Sequence, residues 1–327
     1  MSEVWVDPLQ RAWAELGRHP PQTRQFRTQR LAPELPLDIY AALRAADDAP
    51  CLLVPTVVPA SAFFEVGGMR LSSAPGEQGP LLVLSLEDPD RADLFVTVCS
   101  DAVQAAAVEG EADSLAAFLS RLDAWRRFLK ERRTGLSRYE VVGLLGELMF
   151  LRRLILASPS LQETWVAPAD GLHDFERQGH ALEVKTSLGV ATSIRISTLD
   201  QLDDTGLRQL DLLHVRLIET PDGQSLGTLA EEIEQALPGD AAKRAFSNAL
   251  LRRGLMPDDT GARAAPVVEQ RSLSAFRVGP TFPRLTRAAV PGAIREAEYD
   301  LELRAIDGHT VDVDAVFSAF AGGGADG

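Results

Sequence analysis

Hydrophobic positions along the chain change their period several times, and each change marks an expected element. Leu9, Trp13 and Leu16 recur at helical spacing, predicting a helix over about 8–17, with Asp7 as N-cap, Pro8 at the first helical position and Gly17 at the end. The following stretch, HPPQTRQFRTQRLAPELP, reads as an extended connection. Between 51 and 99 the short apolar runs CLLVPTVV, FFEVGGMRL, LLVLSL and LFVTVC alternate with turn signals, predicting four strands of an antiparallel sheet. Residues 1–105 are thus expected to form an N-terminal β-rich subdomain.

Helical periods then take over. Leu115, Phe118, Leu122, Trp125 and Leu129 predict a helix over 113–133, and a second, nearly apolar at its centre, follows over 137–156. WVAP, HDFER, ALEVKTS and SIRIS read as strands, TLDQL as a helix start, LDLLHVRLIE as a buried strand and LGTLAEEIEQAL as a helix. This order suits an α/β (α+β) core at 106–235, a mixed sheet flanked by helices. A C-terminal α+β extension is expected at 236–320, from the helix AAKRAFSNALLRRG and the strand pair VVEQRSLSAFRV and YDLELRAI. The glycine-rich end, 321–327, is expected to be a disordered tail.

Composition narrows the chemistry. Apolar residues make up 45% and charged residues 24% of the 327, ordinary for a folded protein. No apolar run approaches the ~20 residues that span a bilayer, and MSEVWVDPLQ lacks a secretory h-region, so a cytoplasmic location and no membrane partner are expected. Cys51 and Cys99 form no disulfide framework or zinc spacing and read as small buried side chains. A net charge of −14 argues against non-specific coating of nucleic acid. Of the 33 basic residues only Lys130, Lys185 and Lys243 are lysines. A lysine is therefore informative here.

One of them lies in the stretch His173-Asp174-Phe175-Glu176-Arg177-Gln178-Gly179-His180-Ala181-Leu182-Glu183-Val184-Lys185. A turn at Gln178-Gly179 pairs 177 with 180, 176 with 181, 175 with 182 and 174 with 183. Asp174 then opposes Glu183, and Lys185 shares the face of Glu183, while Phe175, Leu182 and Val184 face the other way. Two opposed carboxylates destabilise a sheet unless a cation lies between them. Magnesium takes hard oxygen ligands of this kind. A divalent cation beside an ammonium is equipment for phosphodiester hydrolysis. The bland alternative is a solvated hairpin face with an ion pair.

Other residues join this set. Glu147 is the one charge at the centre of the second helix, with no basic residue three or four positions away, so it is a further candidate ligand or base. Glu140 lies two turns earlier, with Gly143 between them available for close approach to the sheet. Gln201 is a secondary candidate, although Thr198 to Gln201 has capping-box spacing, which is the favoured reading. His173 abuts Asp174. Arg126, Arg127, Lys130 and Arg133 form the best basic strip for phosphate contacts, with a solvated helix end as the plain alternative. Arg152, Arg153, Arg284 and Arg287 share that ambiguity.

An Asp followed by Glu-x-Lys on the next strand resembles the signature of the PD-(D/E)XK phosphodiesterases. The phrases GLLGELMFLRRL, WVAPADGLHDFE, LEVKTS, ISTLDQLD, LLHVRL and FPRLT, from about 143 to 286, resemble a bacterial family of that superfamily. The resemblance implies a restriction-endonuclease-like core. It implies metal binding (Mg²⁺, with Mn²⁺ as substitute) by Asp174, Glu183, the Val184 carbonyl and Glu147, with Lys185 assisting the water. It also implies a role in phage-defence gene clusters, DNA as substrate, and other subunits or a homodimer as partners. His173 stands where the superfamily usually has proline. Two readings result: a Mg²⁺-dependent DNA endonuclease, or a catalytically inactive DNA-binding or scaffold subunit of a defence complex.

Overall fold

The computed structural model describes residues 2–19, 24–77, 79–107, 113–131, 135–257 and 259–322. Contacts divide the chain into two compact units, Met1–Thr134 with Ser247–Asp258, and Gly135–Phe246 with Asp259–Gly327. This division differs from the expected segments: the helix over 114–131 and the short stretch 247–258 both go with the first unit. Together the units give an α+β protein with one antiparallel sheet and one mixed sheet.

In the first unit, α1 (Val6–Gly17) buries the expected face through Leu9, Ala12, Trp13 and Leu16. It begins earlier than expected, because a 3-10 turn at Ser2–Trp5 runs straight into it; Trp5, not Asp7, occupies the N-cap. Six strands follow: β1 (Phe26–Arg30), β2 (Tyr40–Arg44), β3 (Pro50–Pro55), β4 (Phe64–Val66), β5 (Met69–Gly76) and β6 (Gly79–Leu86). They form an antiparallel sheet in the order β1-β2-β3-β6-β5-β4. Strand β1 lies in the stretch read from sequence as connection, and β2 falls between that stretch and the first expected strand. The run LFVTVC is not a strand but part of α2 (Ala92–Ala107), where Phe95, Cys99, Ala102, Val103 and Ala106 are buried at helical spacing. Burial of that face against the sheet core outweighs the strand preference of its β-branched residues. The third helix, α3 (Ser114–Glu131), completes the unit. Its Arg121 and Trp125 both donate to the buried Asp101 carboxylate of α2. Both cysteines are buried thiols, and burial pushes Cys51 up to about 12.

The second unit opens with α4 (Arg138–Ala157), started by a capping box in which Ser137 and Glu140 satisfy each other's backbone N–H groups. Glu140 is therefore a helix cap. Next come β7 (Phe175–Arg177), β8 (His180–Leu188), β9 (Ser193–Ile196), β10 (Gln209–Gln224), α5 (Leu226–Ala236) and α6 (Gly239–Arg252), whose C-terminal part counts with the first unit. The chain continues through α7 (Thr260–Ala264), β11 (Val268–Val278), β12 (Tyr299–Glu302), β13 (Thr310–Val311) and α8 (Val313–Gly322). The main sheet runs β13-β11-β10-β8-β7, with β8 and β10 parallel and the other neighbours antiparallel; β9 pairs with β12. Two expected elements are absent. WVAP follows a 3-10 turn at Pro159–Thr164 and runs into another at Ala167–Ala169, with Trp165 forming an isolated bridge to Phe175. TLDQL forms turns, because Leu199 and Leu202 are buried but Asp203-Asp204-Thr205-Gly206 ends any helical period.

Helix α4 packs on β8 through a glycine, and it is Gly146 rather than Gly143. A Cβ at Gly146 would stand 1.9 Å from Thr186 Oγ1, whereas one at Gly143 would meet nothing within 4 Å. On the sheet, the fully buried Asp211 accepts from Arg277 and Gln209 and shares a 2.8 Å hydrogen bond with His180, which satisfies a charge that burial would otherwise penalise. The expected tail at 321–327 is helical in α8 as far as Gly322; residues 323–327 lie outside the described residues. Among the described residues no helix is long and apolar enough to cross a membrane.

Candidate active site

The β7–β8 hairpin turns on Gln178 and Gly179, both left-handed at φ 49° and 78°, the geometry of a two-residue turn whose twist matches the strands. Its ladder pairs Phe175 with Leu182, Glu176 with Ala181 and Arg177 with His180. This is the register expected from the sequence. Asp174 lies just beyond the ladder. Its backbone carbonyl accepts from the N–H groups of Val166 and Ala167, at 3.0 and 3.3 Å, and its Oδ2 accepts from Val184 N–H at 2.7 Å. The carboxylate is thus tied to the centre of the Glu183-Val184-Lys185 triplet.

Glu183 is 2% exposed and forms a 2.9 Å ion pair with Lys185. Burial pushes the Glu183 carboxyl above its ordinary range, opposed by attraction to Lys185 and His173 and reinforced by the nearby Glu147 carboxylate. For Lys185, burial acts downward, but the pull of Glu183, with Asp174 adding to it, raises the ammonium above its usual value. Lys185 Nζ also donates to Gln201 Oε1 at 3.0 Å, and that same oxygen accepts from Ser197 N–H at 2.8 Å. The capping reading of Gln201 is corrected here: no helix starts at Thr198, and the amide instead holds the lysine head.

Glu147 is buried and accepts from Trp165 Nε1 at 3.0 Å. The turn that carries Trp165 also carries the two N–H groups on the Asp174 carbonyl, so Glu147 and Asp174 are steadied by one segment. His173 is buried, with Nδ1 at 3.1 Å from Glu176 Oε1, and its Nε2 is buried with no hydrogen-bond partner. Among the described residues no three His, Cys, Asp or Glu side chains are grouped to hold a metal ion. Glu147 is therefore not brought together with Asp174 and Glu183 as a third ligand.

The other expected cations are mostly occupied. Arg126 and Arg127 both donate to Asp123, on the first unit, and Lys130 is exposed there; Arg133 lies outside the described residues. Arg152 pairs with Glu232, Arg153 with Asp314, Arg284 with Asp204 and Arg287 with Asp200. Sequence reasoning missed Trp165 as the partner of Glu147, eighteen residues away. It also missed Tyr139, an exposed side chain on a cleft of about 560 Å³ that reaches Lys185.

A family model described as "Putative PD-(D/E)XK family member, (DUF4420)" matches residues 9–304. The chain belongs to this family. PD-(D/E)XK proteins are nuclease-type phosphodiesterases that usually work with divalent metal ions. No curated protein and no solved structure matches the chain.

Proposed function

We propose that the chain is a Mg²⁺-dependent DNA endonuclease, with Mn²⁺ as substitute, acting in a bacterial restriction or phage-defence system inside the cytoplasm. The observation that carries this reading is the hairpin: Asp174 bound to the backbone of the triplet that presents Glu183 and Lys185. The donor set fits a hard cation. Two carboxylates and the Val184 carbonyl offer oxygen ligands, and Mg²⁺ keeps several waters and takes the rest of its shell from substrate phosphate. When bound there, the ion would supply Lewis acidity and lower the pKa of a water.

The chain's own residues supply the rest. Lys185, fixed between Glu183 and Gln201, offers a positive charge to the oxygens on which negative charge develops in the transition state. Gln201 keeps that ammonium in place through its second bond, to Ser197 N–H. Glu147, held by Trp165, adds negative potential at Glu183 and favours a cation there. A double-strand cut needs two such sites, which supports a homodimer or a further subunit as partner.

The test is nicking of supercoiled plasmid with Mg²⁺ or Mn²⁺ by wild type, Asp174→Ala and Lys185→Ala. Wild type is expected to nick, and each variant to lose at least about 100-fold, the scale of a group that stabilises transition-state charge. Equal cleavage by all three proteins would assign the activity to a contaminant. No cleavage by any, with DNA binding retained, would favour the inactive-subunit reading.

A further inference from the structure

A cleft of about 560 Å³ opens beside Lys185, lined among others by Arg138, Tyr139, Ser187, Arg195 and Asp300. Its size is that of a site for one small organic molecule, far too small to enclose a duplex. Tyr139 stands in the first turn of α4, 65% exposed, and lines the cleft together with Lys185 and Arg195. Arg138 and Arg195 form surface ion pairs with Glu219 and Glu298, all four side chains about half exposed. Such pairs contribute little and exchange readily for a phosphate. At the cleft wall Ser187 Oγ shares a 2.9 Å hydrogen bond with His214 Nε2, on the strand face that also carries Lys185. Asp300 sits opposite Arg195 in the β9–β12 pair, so the lining carries both signs.

We propose that this cleft is a subsite for one unstacked nucleotide next to the scissile phosphate, with Tyr139 as the platform for its base and Arg138 and Arg195 at its phosphate. The proposal rests on the nuclease reading and names its substrate class: DNA with an unpaired strand at the cut, such as single strands and forked ends. An intact duplex hides its base faces in the stack, so an aromatic ring beside the catalytic lysine has nothing to stack on unless a base is extruded or already free.

The experiment measures binding of the full chain in EDTA to oligonucleotides carrying 2-aminopurine, as a single strand, a fork and a blunt duplex. Tyr139→Ala is compared with Tyr139→Trp and wild type. Wild type and Tyr139→Trp are expected to quench the probe in the single strand and the fork. Tyr139→Ala is expected to lose the quenching and to bind those two ligands roughly 5- to 100-fold more weakly, the range for one base–aromatic stack. Duplex binding should move by less than about twofold. Equal affinity of wild type for single strand and duplex, no binding at all, or an unchanged Tyr139→Ala would overturn the subsite. The readout needs no turnover, so the two proposals fail separately. A protein that nicks plasmid without quenching loses the subsite alone; one that quenches without nicking loses the nuclease reading alone.

Discussion

At Lys185 a single side chain both completes the proposed site and balances a buried charge. The side chains of Glu183 and Lys185 are 3% and 13% exposed. Removing one partner of a buried pair costs about 3–5 kcal/mol, since the other is left charged and uncompensated. Lys185→Met keeps much of the stem's volume and removes the charge. The Glu183 carboxyl is already pushed above its unfolded range by burial, and without the lysine it rises further. A carboxyl with a raised folded pKa gives stability that is complete below its unfolded value and lost as pH rises through the folded one. The deficit of Lys185→Met against wild type should therefore be largest at pH 8 and shrink by pH 5.5. Urea unfolding at the two pH values checks this, and an equal deficit at both would mean that Glu183 is not the charge the lysine balances. The hairpin was legible in the sequence because its logic is local: a Gly-marked turn fixes the register, and the register fixes which side chains are neighbours. Trp165 was not, and Gln201 was only a secondary candidate, because its spacing favours a cap and it is the tertiary path of 197–208 that brings its amide to Lys185. Glu140 shows the converse, a candidate site residue that the structure uses in a local capping box.

Elements were legible where burial and periodicity agreed, as in α1, α3 and α4, and misread where a β-branched run was buried on a helix. LFVTVC looks like a strand over six residues, but the apolar period continues into DAVQAAA, and the longer window is the informative one. Strand β1 was lost because its polar run FRTQR carries one apolar residue, and β2 because Tyr40–Arg44 is short and rich in alanine, although Ala41, Ala42 and Leu43 are all buried. The approach of α4 to β8 was foreseen, at the wrong glycine. That error makes a direct test. Gly146→Ala forces a methyl against Thr186 Oγ1 and should cost about 1–3 kcal/mol, the range for overpacking. Adding Thr186→Ala removes the nearest atom and should restore part of the loss. Gly143→Ala meets open space inside a helix and should stabilise by about 0.5–1 kcal/mol. Thermal unfolding of the four proteins separates the cases, and a stabilising Gly146→Ala would contradict the packing described here.

For the molecule as a whole the deciding quantity is charge. The chain carries a net −14, and most of the arginines that look available in the sequence are paired with carboxylates of the same unit. Each phosphate neutralised by a protein cation contributes about −0.9 to the slope of log K against log salt for duplex DNA. A protein with few uncommitted cations should therefore bind duplex weakly in EDTA, with a slope no steeper than about −3. Calcium, a hard cation that occupies oxygen sites, should tighten wild-type binding by offsetting the carboxylates that face the phosphate. Asp174→Ala should respond less to calcium and, having lost one negative charge at the site, bind more tightly than wild type without it. Fluorescence anisotropy over 50–200 mM salt, with and without Ca²⁺, measures all three quantities. A slope near −6 would require a basic face that the arginine pairs open to form. A calcium effect equal in wild type and Asp174→Ala would place the cation somewhere other than the hairpin. Under the proposed function the acidic balance has a consequence: affinity for DNA that depends on the metal or on a partner's positive charge would confine cutting to the assembled state.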